Sequence, residues 1–128
     1  MGHLLGNAVR IDVAHDILTV GEGIETILSL RGISPAMPMA AALSAAHLAA
    51  ILFPPTLRRL YIARDADAAG DGAVATLTGR AGETGIEAIA LSPRLGDFNE
   101  DLRLLGQDAL RAAIRVQLAP EDVARFMI

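Results

Sequence analysis

Acidic residues follow two short apolar runs of the chain, at a spacing that suits metal-assisted chemistry. Residues 17–20 lead into Glu22, and residues 60–63 lead into Asp65 and Asp67. Each run is typical of a short buried strand, and ligands of open α/β sheets bind where the strands end. Three carboxylates gathered at one place repel one another unless a cation neutralises them. We therefore expect a magnesium site that handles phosphate groups.

The two aspartates and the glutamate suit different tasks. Asp65 and Asp67 are two residues apart at a strand end, so their side chains face the same side and can share a metal ion. Glu22 lies between Gly21 and Gly23, which permit a tight turn and the close approach of a phosphodiester. A carboxylate beside the metal but not committed to it can serve as general acid or general base.

Composition excludes several classes of protein. The 128 residues suffice for one domain, and without cysteine the chain has neither disulfides nor a thiolate zinc site. All eleven basic residues are arginine, which excludes Walker-type phosphate loops and Schiff-base chemistry because both need lysine. The net charge of −4 argues against an autonomous nucleic-acid binder. No apolar stretch reaches the ~18 residues of a membrane span and no signal-peptide pattern is found, so we expect a cytoplasmic protein without membrane contact.

Short apolar runs alternate with helical stretches along the chain. We predict strands over residues 8–12, 16–20, 37–43, 59–63 and 86–91. We predict helices over residues 22–30, 45–51, 68–82, 99–105, 108–118 and 120–126. His15 and Asp16 are placed in a hairpin turn between the first two strands. Such alternation indicates an α/β fold with a mainly parallel sheet covered by helices.

Four motifs, in this order, resemble a Toprim domain, the catalytic module that DnaG-type primases share with type IA and type II topoisomerases and certain nucleases. The motifs are Gly21-Glu22-Gly23-Ile24-Glu25-Thr26, Ala42-Leu43-Ser44-Ala45, Asp65-Ala66-Asp67-Ala68-Ala69-Gly70 and Asp97-Phe98-Asn99-Glu100-Asp101. Each motif alone is a weak signal, whereas four in the family's order are a strong one. The likeness covers roughly residues 5–126 and is greatest to the Toprim domains of plasmid- and phage-type primases and primase-helicases.

The resemblance implies a Rossmann-like Toprim fold, with a sheet of about four to five strands, and a set of site residues. It assigns acid–base catalysis to Glu22 and the binding of Mg²⁺, which Mn²⁺ can replace, to Asp65, Asp67 and Asp97. Further candidates surround these four residues, namely Gly21, Gly23, Gly70, Glu25, Asn99, Glu100 and Asp101.

The chain departs from the family pattern at three places. Relatives often have asparagine at the position of Ala66, a lysine near Leu95 and Gly96, and aspartate at the position of Glu100. The second departure removes a phosphate contact, and none of the three touches the residues assigned to chemistry.

The resemblance implies Mg²⁺-dependent nucleotidyl transfer on nucleic acid, with the chain as the catalytic module of a DNA primase. We expect residues 1–128 to form a single Toprim domain, with a core over residues 16–118, as a fragment of a longer protein. That longer protein would bind the single-stranded DNA template and nucleotides, with zinc-binding and helicase modules in the same protein or in a partner. The isolated domain need not be active.

Two other functions stay open. A small Toprim nuclease uses the same carboxylates with water as nucleophile, and a non-catalytic adaptor binds DNA or partners without turnover. Several acids also have structural interpretations, since Asp67 can cap a helix, Asp97 can form a turn and Glu25 can be a solvated first-turn acid. Tyr61, the single tyrosine, lies in a predicted buried strand, so a topoisomerase-type nucleophile is not expected here.

Overall fold

Six strands form one sheet in the computed structural model, which describes residues 4–5, 8–10 and 15–127. The strands are β1 (Leu4–Leu5), β2 (Ala8–Arg10), β3 (Ile17–Gly21), β4 (Met39–Ala41), β5 (Arg59–Ala63) and β6 (Glu87–Leu91). The helices are α1 (Ile24–Ile33), α2 (Ala45–Ala49), α3 (Ala68–Glu83), α4 (Phe98–Leu105), α5 (Gln107–Arg115) and α6 (Pro120–Phe126). No helix within the described ranges has the length and apolar character needed to cross a membrane.

Four parallel strands make up the centre of the sheet, in the order β4-β3-β5-β6. β2 pairs antiparallel with β4, and β1 pairs antiparallel with β2 at the edge. β3 and β5 are buried along their whole length, as expected of parallel strands covered on both faces. The predicted α/β architecture with a mainly parallel sheet is therefore confirmed.

The predicted hairpin between the first two strands is wrong, because β4 lies between β2 and β3. β3 has a parallel neighbour on each side, β4 and β5, which satisfy its backbone groups and leave no room for β2 beside it. β1 had no counterpart in the sequence prediction. Residues 11 and 12, at the end of the predicted strand 8–12, lie outside the described residues.

Helices cover both faces of the sheet because successive side chains of each central strand point to opposite sides. On one face Tyr61 of β5 belongs to an apolar layer with residues of α1, α4, α5 and α6. On the other face Ile62 belongs to a layer with Leu48 of α2 and Leu77 of α3. The central strands are thus enclosed, and ligands reach the sheet at the ends of the strands.

A buried ionic network ties α6 to the start of β5. Arg59 donates hydrogen bonds to Asp122 at 2.8 Å and to Glu87 and Glu121 at 2.6 Å. The hydroxyl of Tyr61 donates a short hydrogen bond to the same Asp122 carboxylate. Burial, reinforced by this bond, raises the pKa of Tyr61 well above its ordinary value. Tyr61 is therefore a protonated structural donor, as its place in a buried strand suggested.

Candidate functional site at the carboxyl ends of the strands

The four parallel strands end side by side, and the loops that follow them form what we call the carboxyl edge. In the strand register Gly21 lies opposite both Ala41 and Ala63, and Ala63 lies opposite Leu91. The residues after these positions include Glu22 and the Asp65 loop. The tertiary structure therefore brings loops that are distant in sequence to one place, where ligands of open α/β sheets bind.

The loop after β5 carries the two aspartates predicted to bind metal. Asp67 is the N-cap of α3 and accepts a hydrogen bond from the backbone N–H of Gly70 at 2.6 Å. Gly70 packs directly on this loop, since a Cβ atom there would lie 2.3 Å from the carbonyl oxygen of Asp65. Only glycine fits at this position, so Gly70 shapes the loop instead of offering a ligand.

The loop that carries Asp97 is joined to the aspartate loop through the backbone. Ala66 donates its N–H to the carbonyl oxygen of Gly96 at 2.8 Å. Asp97 is the N-cap of α4 and accepts from the N–H of Glu100 at 2.7 Å. Asp67 and Asp97 thus sit in the same way at two adjacent helix starts, and in each case the capping bond occupies one oxygen and leaves the other.

Asp101 has a structural position within the third motif. It is 1% exposed, and its two carboxylate oxygens accept the backbone N–H groups of Arg94 and Leu95, each at 2.8 Å. These bonds fix the loop that precedes Asp97. Asp101 therefore positions the metal-binding candidate, and its own oxygens are already engaged.

Glu22 lies in the turn between β3 and α1 and is partly buried. Its carbonyl oxygen accepts the N–H of Leu43 at 2.6 Å, and the Gly21 carbonyl accepts the N–H of Ala42 at 2.8 Å. At Gly21 an added Cβ would meet the side chain of Ile27 at 3.0 Å, so close packing accounts for this glycine. Gly23 has an extended backbone with φ −94°, which does not require glycine.

The four predicted carboxylates act on one another electrostatically. The pKa of Asp65 is raised from 3.8 to about 6, first by burial and then by the negative charges of Glu22, Asp67 and Asp97. A hydrogen bond with Glu22 further favours the protonated form. The oxygen Oδ1 of Asp65 is buried and has no hydrogen-bond partner among the described residues. An unpartnered carboxylate oxygen among like charges is a position that a cation would stabilise.

The donor set of the carboxyl edge suits a hard divalent cation. It offers carboxylate oxygens, and Mg²⁺ is usually held by one or two of these together with waters and substrate phosphates. In the side-chain positions of the structure, no group of three Asp, Glu or His residues encloses a metal ion among the described residues. Three carboxylates could hold the ion. They are Asp65, whose Oδ1 has no hydrogen-bond partner, and Asp67 and Asp97 through the oxygen that the capping bond leaves.

The remaining candidates of the sequence analysis surround this cluster. The amide of Asn99 donates to Glu25 at 3.3 Å and accepts from Ser29 at 3.5 Å, so these residues connect α1 with the start of α4. The carboxyl group of Glu100 packs against Gly96, 3.3 Å from where a Cβ atom would be. Glu25 and Asn99 are thus placed to hold the starts of α1 and α4 together, and Glu100 packs on the loop before α4.

Sequence reasoning missed two residues of the carboxyl edge. Arg64 donates to Asp71 at 2.9 Å and to the carbonyl oxygen of Asp65 at 3.5 Å. These hydrogen bonds connect the aspartate loop to the first turn of α3. Leu43 has a left-handed backbone with φ 77°. Leu43 lies in the second of the four motifs, but leucine gives no sign of a left-handed backbone, whereas Arg64 directly before the aspartates could have been noticed.

We expect Asp65→Asn to stabilise the metal-free protein at neutral pH. Because the pKa of Asp65 is raised to about 6, the folded protein keeps this proton at a pH where the unfolded chain has lost it. Stability therefore falls as the pH rises from about 4 to about 6 and stays lower above that range. Asparagine has no proton to lose, so the variant should gain about 1 kcal/mol above pH 6, after discounting for solvent screening.

Thermal melts in a chelator across this pH range measure the effect. Asp108→Asn, which changes a fully exposed carboxylate on α5, is the matched control and should leave the pH profile unchanged. If Asp65→Asn melts below the parent by the equivalent of more than about 1 kcal/mol, Asp65 is a structural residue and the electrostatic interpretation is wrong.

Comparisons with known proteins identify the family and the fold. A family model described as a Toprim domain matches residues 17–108, more than half of the chain. No curated protein sequence matches the chain.

Solved structures with the same fold include two primases. The primase fragment of the bacteriophage T7 primase-helicase protein is 17% identical with a TM-score of 0.59, over 81% of this chain and 44% of that one. The Aquifex aeolicus primase, comprising zinc-binding and RNA polymerase domains, is 19% identical with a TM-score of 0.58, over 80% of this chain and 26% of that one. The chain therefore spans less than half the length of either structure. From the family match, the chain belongs to the Toprim domain family.

Proposed function

We propose that the chain carries out Mg²⁺-dependent nucleotidyl transfer on nucleic acid, as the catalytic module of a DNA primase. The observation that carries the proposal is the cluster of Glu22, Asp67 and Asp97 around Asp65, whose oxygen Oδ1 is buried and unpartnered. Family membership supports a catalytic carboxylate site, and the names of the two structural neighbours support primase over other Toprim activities.

In this proposal the residues of the carboxyl edge have different roles in metal binding and proton transfer. Asp65, Asp67 and Asp97 would hold Mg²⁺, or Mn²⁺ in its place. The bound ion would neutralise negative charge on the phosphate oxygens during transfer. Glu22, in the neighbouring turn, accepts the proton of the attacking 3′-hydroxyl at its carboxylate, or returns a proton to the leaving group. Gly23, directly after Glu22, leaves the backbone free of a side chain where the phosphodiester approaches.

We further propose that this domain works within a longer protein. The chain corresponds to 44% of the T7 primase fragment and 26% of the Aquifex primase structure, whose names include helicase and zinc-binding parts. Its net charge of −4 offers little attraction for a polyanion. Single-stranded template and nucleotides would therefore be held mainly by other modules of the same protein or of a partner. The single-domain extent over residues 1–128 and the cytoplasmic location stay predictions.

One incubation separates the proposed function from its alternatives. Labelled single-stranded DNA is mixed with nucleotides, Mg²⁺ or Mn²⁺, and either the chain or a longer protein that contains it. Longer products support a primase, and shorter products support the nuclease. Binding without any product supports the adaptor. Asp65→Asn should abolish products of either kind, and Asp108→Asn should not, because Asp108 lies on α5 away from the carboxylates.

A further inference from the structure

Leu43 adopts a backbone conformation that is unfavourable for its residue type. Among the described residues it is the only non-glycine residue with positive φ, at 77°, beside Gly85 and Gly106. A side chain other than that of glycine crowds the backbone in this region, and asparagine tolerates it better than leucine does. Such residues persist where the surrounding structure demands them, and they cluster at functional sites.

The conformation serves the connection between β4 and α2. The N–H groups of Ala42 and Leu43 continue the pairing with β3, because they donate to the carbonyl oxygens of Gly21 and Glu22 at 2.8 and 2.6 Å. The chain then turns at once, and Ser44 caps α2 by accepting from the N–H of His47 at 3.0 Å. Glycine or asparagine at position 43 would make the same turn, so the backbone alone does not require leucine.

The core does not require the leucine side chain either. Leu43 is 54% exposed, whereas Leu48 on the following helix is 3% exposed and packs in the core. Leu43 thus combines an unfavourable backbone with an apolar side chain in water, beside Glu22 at the carboxyl edge. The hydrogen bonds of the turn would form equally well with glycine or asparagine at position 43, so they do not account for the choice of leucine.

None of the phenylalanine and tyrosine rings of the chain is free to stack on a nucleobase. Tyr61 and Phe98 are fully buried and Phe126 is 7% exposed. The ring of Phe53 is covered by the guanidinium of Arg80, 4.5 Å from its centroid. Proteins that hold single strands normally stack bases on exposed aromatic rings. An exposed aliphatic side chain next to the catalytic turn is the available substitute.

We propose that Leu43 is a substrate-contact residue, whose side chain packs against a nucleobase of the nucleic acid or nucleotide bound at the carboxyl edge. The inference rests on the proposed function, since it needs a nucleotide whose phosphate lies at the carboxylates. The apolar contact made by Leu43 complements the ionic contacts of the carboxylates. The carboxylates hold the phosphate only through the cation, and Leu43 adds an apolar contact that depends on neither charge nor salt.

The test compares Leu43→Asn and Leu43→Gly with the parent, in the chain for melting and in a longer protein that contains the chain for binding. Both residues suit the left-handed backbone, so the variants should melt at or above the parent temperature. Both lose the apolar contact, so their affinity for a labelled single-stranded oligonucleotide in Mg²⁺ should fall about tenfold, within the range of base-packing contacts. Leu43→Met keeps an apolar side chain and should retain most of the affinity. Leu52→Asn alters a leucine that is 60% exposed in the loop before β5 and is the matched control.

Two further readouts distinguish a substrate contact from a structural effect. In turnover by a protein that contains the domain, Leu43→Asn should raise KM about tenfold and leave kcat nearly unchanged, as expected for a lost uniform binding contact. The methyl signals of Leu43 should shift when a base packs on them. Titration with an oligonucleotide and, separately, with a nucleoside triphosphate shows whether the base belongs to the template or to the incoming nucleotide.

The possible failures are distinguishable. If Leu43→Asn binds like the parent while Asp65→Asn loses Mg²⁺-dependent binding, the contact inference is wrong and the proposed function stands. If Leu43→Gly and Leu43→Asn both melt clearly below the parent, Leu43 is a structural residue and the inference is again overturned. If Asp65→Asn and Glu22→Gln are also indistinguishable from the parent, the proposed function fails and the inference fails with it.

Discussion

Replacing Glu22 by glutamine is expected to lower turnover by about 10²–10⁴-fold, the usual contribution of a general acid or base. Glutamine preserves the size and hydrogen-bonding ability of the side chain, but it cannot carry the proton of the attacking hydroxyl. The backbone of the turn should be unaffected, since it is held by the N–H groups of Ala42 and Leu43. Steady-state extension assays in a protein that contains the domain measure the loss.

Metal binding separates this role from that of the aspartates. Glu22→Gln should bind Mn²⁺ about as well as the parent does, whereas Asp65→Asn should bind it more weakly and regain part of its activity at high Mg²⁺ or Mn²⁺. Asp108→Asn changes an exposed acid on α5, away from the carboxylates, and serves as the control. Full activity of Glu22→Gln would reduce Glu22 to a helix-start acid, and catalysis by the metal site without this proton carrier would then be favoured.

Removing the carboxylate of Asp122 is expected to destabilise the fold strongly. Asp122→Ala leaves the hydroxyl of Tyr61 and one nitrogen of Arg59 buried without their acceptor. Breaking a buried ion pair from one side costs about 3–5 kcal/mol. We expect the lower end of that range, because Arg59 keeps its hydrogen bonds to Glu87 and Glu121. Denaturant unfolding of the full chain measures the change.

Glu121→Ala provides a control on the same arginine. Glu121 is 65% exposed and bonds Arg59 at 2.6 Å, so its removal should cost only about 0–1 kcal/mol, as for other exposed ion pairs. The two variants remove the same charge from the same partner and differ mainly in burial. Equal effects would show that burial does not govern the strength of this network, and that α6 is held to β5 by its apolar contacts alone.

The sequence predicted the core elements well where local signals agree. The bounds of β5 and α6 coincide with the predicted residues 59–63 and 120–126. For β5 the signal is an apolar run between polar residues, and for α6 it is a proline in the first turn. Asp67 as helix cap was also foreseen, because aspartate before an alanine-rich stretch favours that position.

Predictions from the sequence were less accurate for residues whose type suits either a functional role or a structural one. Asn99 was a candidate site residue of the third motif, but α4 begins at Phe98 with Asp97 as its cap, and Asn99 connects α4 to Glu25 on α1. Asp101 was a further candidate site residue, and in the structure it is buried and accepts hydrogen bonds from the backbone of Arg94 and Leu95. Local spacing cannot reveal such partners, because they come from other parts of the fold.

Local periodicity and motifs in a set order were enough to predict the α/β class and the family, and both are confirmed. The same motifs assigned four carboxylates to chemistry, and that assignment stays a prediction. The tertiary structure alone decided that β4 lies between β2 and β3, and that Asp65 keeps an unpartnered oxygen among three other acids. It also decided the strained backbone of Leu43 beside Glu22. The physical reason is the same in each case. Strand neighbours, burial and electrostatic repulsion arise between residues that are distant in sequence, and they exist only once the sheet has formed.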